Sequence, residues 1–121
     1  MPQPTGFIVH RGVRIYLIDI EGMQPDEVTR LVDKVAKDIR AEPHGTVRSL
    51  THVKDAVVST AMIERLRWLA DGNKPHVKYA AIAGLTPTQR VILNVVKSLT
   101  GRDFALFSTK AEALDHLAGL P

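Results

Sequence analysis

The spacing of hydrophobic positions changes along the chain, and each change predicts a new element. Phe7 to His10 and Val13 to Ile20 are short apolar runs parted by Arg11-Gly12, which predicts a hairpin with glycine in its turn. In the second run Ile15, Leu17 and Asp19 fall on one face and Tyr16, Ile18 and Ile20 on the other, the two-sided apolarity of a central strand. From Pro25 the period lengthens: Val28, Leu31, Val32, Val35 and Ile39 form a helical stripe opposite Asp26, Arg30, Asp33, Lys37 and Asp38, stopped by Pro43 and Gly45. Val47 to Val53 reads as a third strand. Ser59 or Thr60 then caps a helix carrying Met62, Ile63, Leu66 and Leu69, with Asp71-Gly72-Asn73 expected to close it.

The last third repeats one grammar. Val77 to Gly84 is an apolar strand, Thr86-Pro87 a cap with proline in the first turn, and Phe104 to Phe107 the next strand. Thr109-Lys110-Ala111-Glu112 is a capping box that opens the final helix. The order ββαβαβαβα predicts a single α/β domain over residues 1–121. Its sheet should be mixed and mostly parallel, of about five strands, with helices on both faces.

This order, together with Asn73-Lys74-Pro75-His76-Val77-Lys78, Gly101-Arg102-Asp103-Phe104 and Phe107-Ser108-Thr109-Lys110-Ala111-Glu112-Ala113-Leu114, resembles the STAS-like bacterial proteins. That family is related in fold to anti-sigma-factor antagonists and is grouped with CRAL-TRIO lipid-transfer domains. The resemblance spans nearly the whole chain, but its motifs are structural, a strand start and two helix caps. It implies a STAS-like fold and a regulatory or protein-interaction role. In anti-sigma-factor antagonists a serine in an Asp-Ser-Ser-Gly motif is phosphorylated at the start of the helix after the third strand. The matching stretch here is Val58-Ser59-Thr60-Ala61, which keeps two hydroxyls and replaces the acidic residue and the glycine. Ser59 and Thr60 are therefore candidate phospho-acceptors or anion-binding groups at a helix start, where free amides and the helix dipole favour negative charge, as well as ordinary caps.

Composition narrows the remaining chemistry. Sixteen Lys and Arg against thirteen Asp and Glu give a formal charge of +3, dispersed from Arg11 to Lys110, and the six aromatics are scattered as well. Neither pattern makes the basic stripe or stacking platform of a nucleic-acid binder. Cysteine is absent, so disulfides and thiolate chemistry are excluded. No apolar run nears the roughly 18 residues of a membrane span, and the N-terminus lacks signal-peptide features, so a cytoplasmic protein without an integral membrane segment is expected.

The histidines His10, His44, His52, His76 and His116 show no metal-ligand spacing, and no nucleophile elbow or phosphate loop is present. Asp19 has no sequence-local partner. No catalytic residue, metal or cofactor is predicted, and the protein is expected not to be an enzyme. An enzyme would instead require Asp19, His52 and Ser59 to converge in one cleft.

Two apolar excesses point to binding. Between Pro87 and Thr100, Val91, Ile92, Leu93, Val95, Val96 and Leu99 cover about half of a helical circumference, more than one sheet face needs. Leu93 and Val96 at the edge of that stripe, and Trp68 beside the stripe of its own helix, are candidates for a subunit interface or for the wall of an apolar pocket. The expected partners are a second copy in a homodimer and another protein. The alternative is a carrier or sensor of an apolar, lipid-like small molecule.

Overall fold

The computed structural model describes residues 3–57, 59–91, 94 and 104–121. Strand β1 (Gly6–His10) pairs antiparallel with β2 (Val13–Asp19) across a two-residue turn in which Arg11 and Gly12 both take positive φ, 51° and 77°. That geometry matches the right-handed twist of the hairpin, and Gly12 adopts it without a Cβ penalty. Helix α1 (Pro25–Arg40) follows, with proline in its first turn and Glu27 Oε1 accepting from the Gln24 N–H at 3.1 Å.

Strand β3 (Val47–His52), helix α2 (Thr60–Asn73) and strand β4 (Val77–Ala83) come next. A helix α3 begins at 87 and is described over 87–91 and at 94. Its start is a reciprocal cap: the Thr86 N–H donates to Gln89 Oε1 and the Gln89 N–H to Thr86 Oγ1. The chain closes with β5 (Ala105–Phe107) and α4 (Lys110–Gly119), whose Thr109 cap accepts from the Glu112 N–H at 3.2 Å. The ββαβαβαβα order is as the sequence predicts, whereas the box at Thr109 is half formed: Glu112 Oε1 accepts from the Thr109 hydroxyl at 3.0 Å and not from its backbone N–H.

The five strands lie side by side in sequence order, β2 to β5 parallel and β1 antiparallel at one edge. Successive right-handed crossovers that advance in one direction put their helices on one face. Accordingly Tyr16, Ile18, Ile20 and Val47 pack against Val28, Val32, Val35 and Ile39 of α1 and Met62 and Leu69 of α2. Helix α4 makes no crossover and returns beneath the opposite face, where Ala113, Leu114 and Leu117 meet Ile15, Leu17, Leu50, Ala81 and Ala83. The alternation read in β2 therefore separates two cores.

Two local expectations need correction. Gly72 does not end α2 but lies within it, and the helix tightens through Asn73 into a 3₁₀ turn over Lys74–His76 that contains Pro75. What glycine provides there is room: a Cβ on Gly72 would stand 2.1 Å from Arg40 Nη2. Ile63 does not join the buried stripe of Met62, Leu66 and Leu69 and is 53% exposed, since it lies about 100° around the helix from Met62.

Candidate functional site

A cavity of about 460 Å³ opens on the α1/α2 face of the sheet. Its floor is set by the register of three parallel strands: Ser49 lies between Tyr16 and Ala80, and Thr51 between Ile18 and Ile82. Ile18, Ser49, Thr51 and Ala80 line it, and the three last are too small to fill the space beneath a helix. Leu66, Leu69, Ala70 and Asn73 of α2 form the opposite wall. Ile39 and Phe104 also line it, and Lys74, Val77 and Lys78 stand at the amino end of β4. A mostly aliphatic wall with a few polar groups is the usual character of a small-molecule site, and the volume lies within the range such sites occupy.

The other face carries a buried polar cluster. Asp19 and His52 are the last residues of adjacent parallel strands and sit in register, so their side chains meet beneath the carboxyl ends of β2 and β3. Asp19 is fully buried and not the isolated carboxylate the sequence suggests: Oδ1 accepts from His52 Nδ1 at 3.0 Å and from the Glu21 N–H at 3.2 Å. Oδ2 accepts from the Gln3 N–H at 3.0 Å and from Lys110 Nζ at 3.3 Å. Burial raises the carboxyl pKa, but the hydrogen bonds from Gln3, His52 and Glu21, with the attraction of His52, outweigh it and hold the group below the ordinary aspartate value.

Asp19, Glu21 and His52 can bring ligand atoms within 4.8 Å of one another and are the described residues best placed to hold a metal ion. Each Asp19 oxygen already accepts two donors, and one of those four is an ammonium. The arrangement therefore has the character of an anchor joining the segment before β1 and the start of α4 to the sheet. Asp19 and His52 do converge as an enzyme would require, whereas Ser59 is engaged elsewhere.

Ser59 is the N-cap of α2. Its Oγ accepts from the Met62 N–H at 3.1 Å, and the side chain is half-buried. Thr60, at the first helical position, is exposed. Trp68 is 46% exposed, as its place off the stripe predicts, with the guanidinium groups of Arg40 and Arg65 4.4 and 4.7 Å from its ring centroid. Leu93 and Val96 lie outside the described residues, as does Val58 of the stretch that precedes α2.

Of the other histidines, His10 contacts Asp115 at 2.8 Å, and His76 Nδ1 donates to the Glu42 carbonyl at 2.7 Å with His44 packed edge-on against its ring. The turn before α3 satisfies its amides internally through Thr86 and Gln89.

Sequence reasoning gave Ser49 and Thr51 no role and met Asn73 and Lys74 only in structural motifs, as a helix end and a strand start. In the run VRSLTH the polar positions 49 and 51 alternate with Leu50, which reads as a solvent-facing edge. Only the covering of both faces turns that pattern into a cavity floor.

No protein-family model matches the chain, and no curated protein matches it. Among solved structures it is similar to an uncharacterized protein of the DUF3478 family with a SpoIIAA-like fold from Shewanella loihica PV-4. The TM-score is 0.74 at 16% identity, covering 94% of this chain and 92% of that one. It is also similar to an anti-sigma-factor antagonist (STAS) domain protein from Planctomyces limnophilus, with a TM-score of 0.63, 16% identity and coverage of 95% and 98%. Near-complete coverage of both chains in each case identifies the architecture as the STAS, or SpoIIAA-like, fold.

Proposed function

We propose that the protein is a non-catalytic binding module that houses an apolar small molecule between its sheet and α2, as a sensor or carrier. The cavity carries this reading. A protein interior is normally packed without voids larger than a water molecule. Here small residues on the floor, Ser49, Thr51 and Ala80, leave a space of about 460 Å³ against Leu66 and Leu69. Filling the cavity tests it. With the neutral dye Nile red as probe, the wild-type protein should give a saturable rise in fluorescence. Ala80→Phe should abolish that rise while leaving the thermal midpoint unchanged or higher, because the new ring occupies existing space. A wild type that leaves the dye dark, or an Ala80→Phe variant that binds it as well as wild type, overturns the reading.

A second reading, a regulatory module acting on a protein partner or as a homodimer, has its own support in α2. That helix presents exposed Thr60, Ile63 and Trp68 along one element. It also fits the STAS-like architecture, since one similar structure is an anti-sigma-factor antagonist domain protein. Light scattering across a concentration series, on wild type and Thr60→Asp, tests it. A dimer that Thr60→Asp dissociates, with circular dichroism unchanged, is the expected result. A monomer at every concentration removes self-association as the output.

A further inference from the structure

The polar groups of the cavity are unevenly placed. Asn73 is 5% exposed and lines the cavity, and its Oδ1 accepts from Arg40 Nε at 3.0 Å. An arginine Nε can only donate, so the partner fixes which end of the amide is oxygen. Nδ2, with two hydrogens, is left without a partner among the described residues. The Arg40 guanidinium lies 4.4 Å from the Trp68 ring centroid and against Gly72. The amide is thus held with its donor end free and reachable by solvent, and the described side-chain polar atom that is enclosed without a partner is its neighbour Arg40 Nη2.

Lys74 follows directly. It lines the cavity as well, is exposed, and makes no ion pair with the described residues. Lys78 lies beside it in the bulge where the β3/β4 register shifts, its Nζ donating to the Pro121 carbonyl at 2.7 Å. No carboxylate is among the described residues that line the cavity. Ser49, 9% exposed on the floor, adds a hydroxyl without a protein partner among the described residues.

We infer that the occupant of this cavity is an amphipath with an anionic head of the carboxylate type. Its head is held by Asn73 Nδ2 and Lys74, and its tail lies along Ser49 and Ala80 toward Leu66. The inference rests on the cavity being a binding site and adds which end of the ligand goes where. Asn73 and Lys74 are consecutive in the chain and both line the cavity, so a free amide donor and a full positive charge stand at the same end, which attracts an anionic head and repels a cationic one.

Displacement of Nile red by three ligands with one tail tests it: dodecanoate, dodecanol and dodecyltrimethylammonium. Dodecyl phosphate separates a carboxylate preference from a general anion preference. Wild type should bind dodecanoate about tenfold or more tightly than dodecanol, and the ammonium least. Lys74→Gln, at an exposed position, should bring dodecanoate toward the affinity of dodecanol and leave dodecanol unchanged. Asn73→Asp keeps an acceptor for Arg40 and replaces the free donor by a negative charge, so it should remove the preference altogether. Tighter binding of dodecyl phosphate than dodecanoate overturns the carboxylate assignment. Equal displacement by acid and alcohol, or a Lys74→Gln variant that keeps the full preference, overturns this inference alone. Absence of dye binding by wild type overturns the cavity reading and this inference with it.

Discussion

Asp19→Ala is expected to destabilise the protein by about 3–5 kcal/mol near neutral pH, the cost of removing one partner from a buried ionic cluster. The substitution leaves His52 Nδ1, the Gln3 and Glu21 amides and Lys110 Nζ without their common acceptor, with the His52 ring buried beside the vacated position and Gln3 and Lys110 nearer the surface. The loss should depend on pH in a defined direction. The folded-state pKa of Asp19 lies below its ordinary value of 3.8, so its ionised form stabilises the fold fully above that value. The contribution disappears as pH falls through the lower, folded-state pKa. Urea unfolding of wild type and variant over an acid series should therefore show a gap that is constant near neutrality and narrows only below about pH 4. A neutral-pH difference under about 0.5 kcal/mol, the size of an ordinary surface substitution, would mean that the cluster contributes no more than an exposed ion pair.

Gly84→Ala is expected to cost about 2–4 kcal/mol, combining backbone strain with overpacking. Gly84 sits at φ +88°, and a Cβ there would stand 2.8 Å from the Lys54 backbone nitrogen and 3.1 Å from its Cα. Neither atom can swing aside, because the adjoining backbone is tied: the Val53 N–H donates to the Ala83 carbonyl at 2.9 Å and the Gly84 N–H to the Phe107 carbonyl. Gly72→Ala is the informative contrast. Its Cβ would meet the end of the Arg40 side chain, which can give way, and alanine favours the helix by up to about 1 kcal/mol. Thermal melts should separate the two by several degrees per kcal/mol. Similar midpoints for the two variants would show that the β3 and β4 ends are not in close contact.

Much of the fold was legible because each element carries a local signal. The two faces of β2 could be read from Ile15 and Leu17 against Tyr16 and Ile18, and the final helix from Thr109 and Glu112. The candidate site was not legible for a different reason in each part. Asp19 and His52 are 33 residues apart and meet only through the β2/β3 register, which no local pattern encodes. The cavity is a property of what is absent: Ser49, Thr51 and Ala80 are ordinary strand residues until a helix lies over them. Gly72 misled because a glycine near a helix end usually closes it, and here a distant arginine had the stronger claim on that space. Trp68 was placed correctly by helical angle, but its two arginine neighbours come from different turns and different helices.

The strand order has a consequence for how the molecule is assembled. Because β2, β3, β4 and β5 are neighbours in space in the order they occur in sequence, each new βα unit can be added to an edge already formed, and no strand must be inserted between two others. Helix α4 alone breaks that progression. It must travel back from the β5 edge across the sheet to reach Ile15, Leu17 and Leu50, and its end is secured there by Arg48, which donates to the Leu117 and Leu120 carbonyls. During synthesis the first core can therefore close while the second face of β2 is still bare. For that interval Ile15, Leu17, Leu50 and Ala81 form an open apolar sheet surface, the point in the protein's life at which it is most exposed to chaperones and to aggregation.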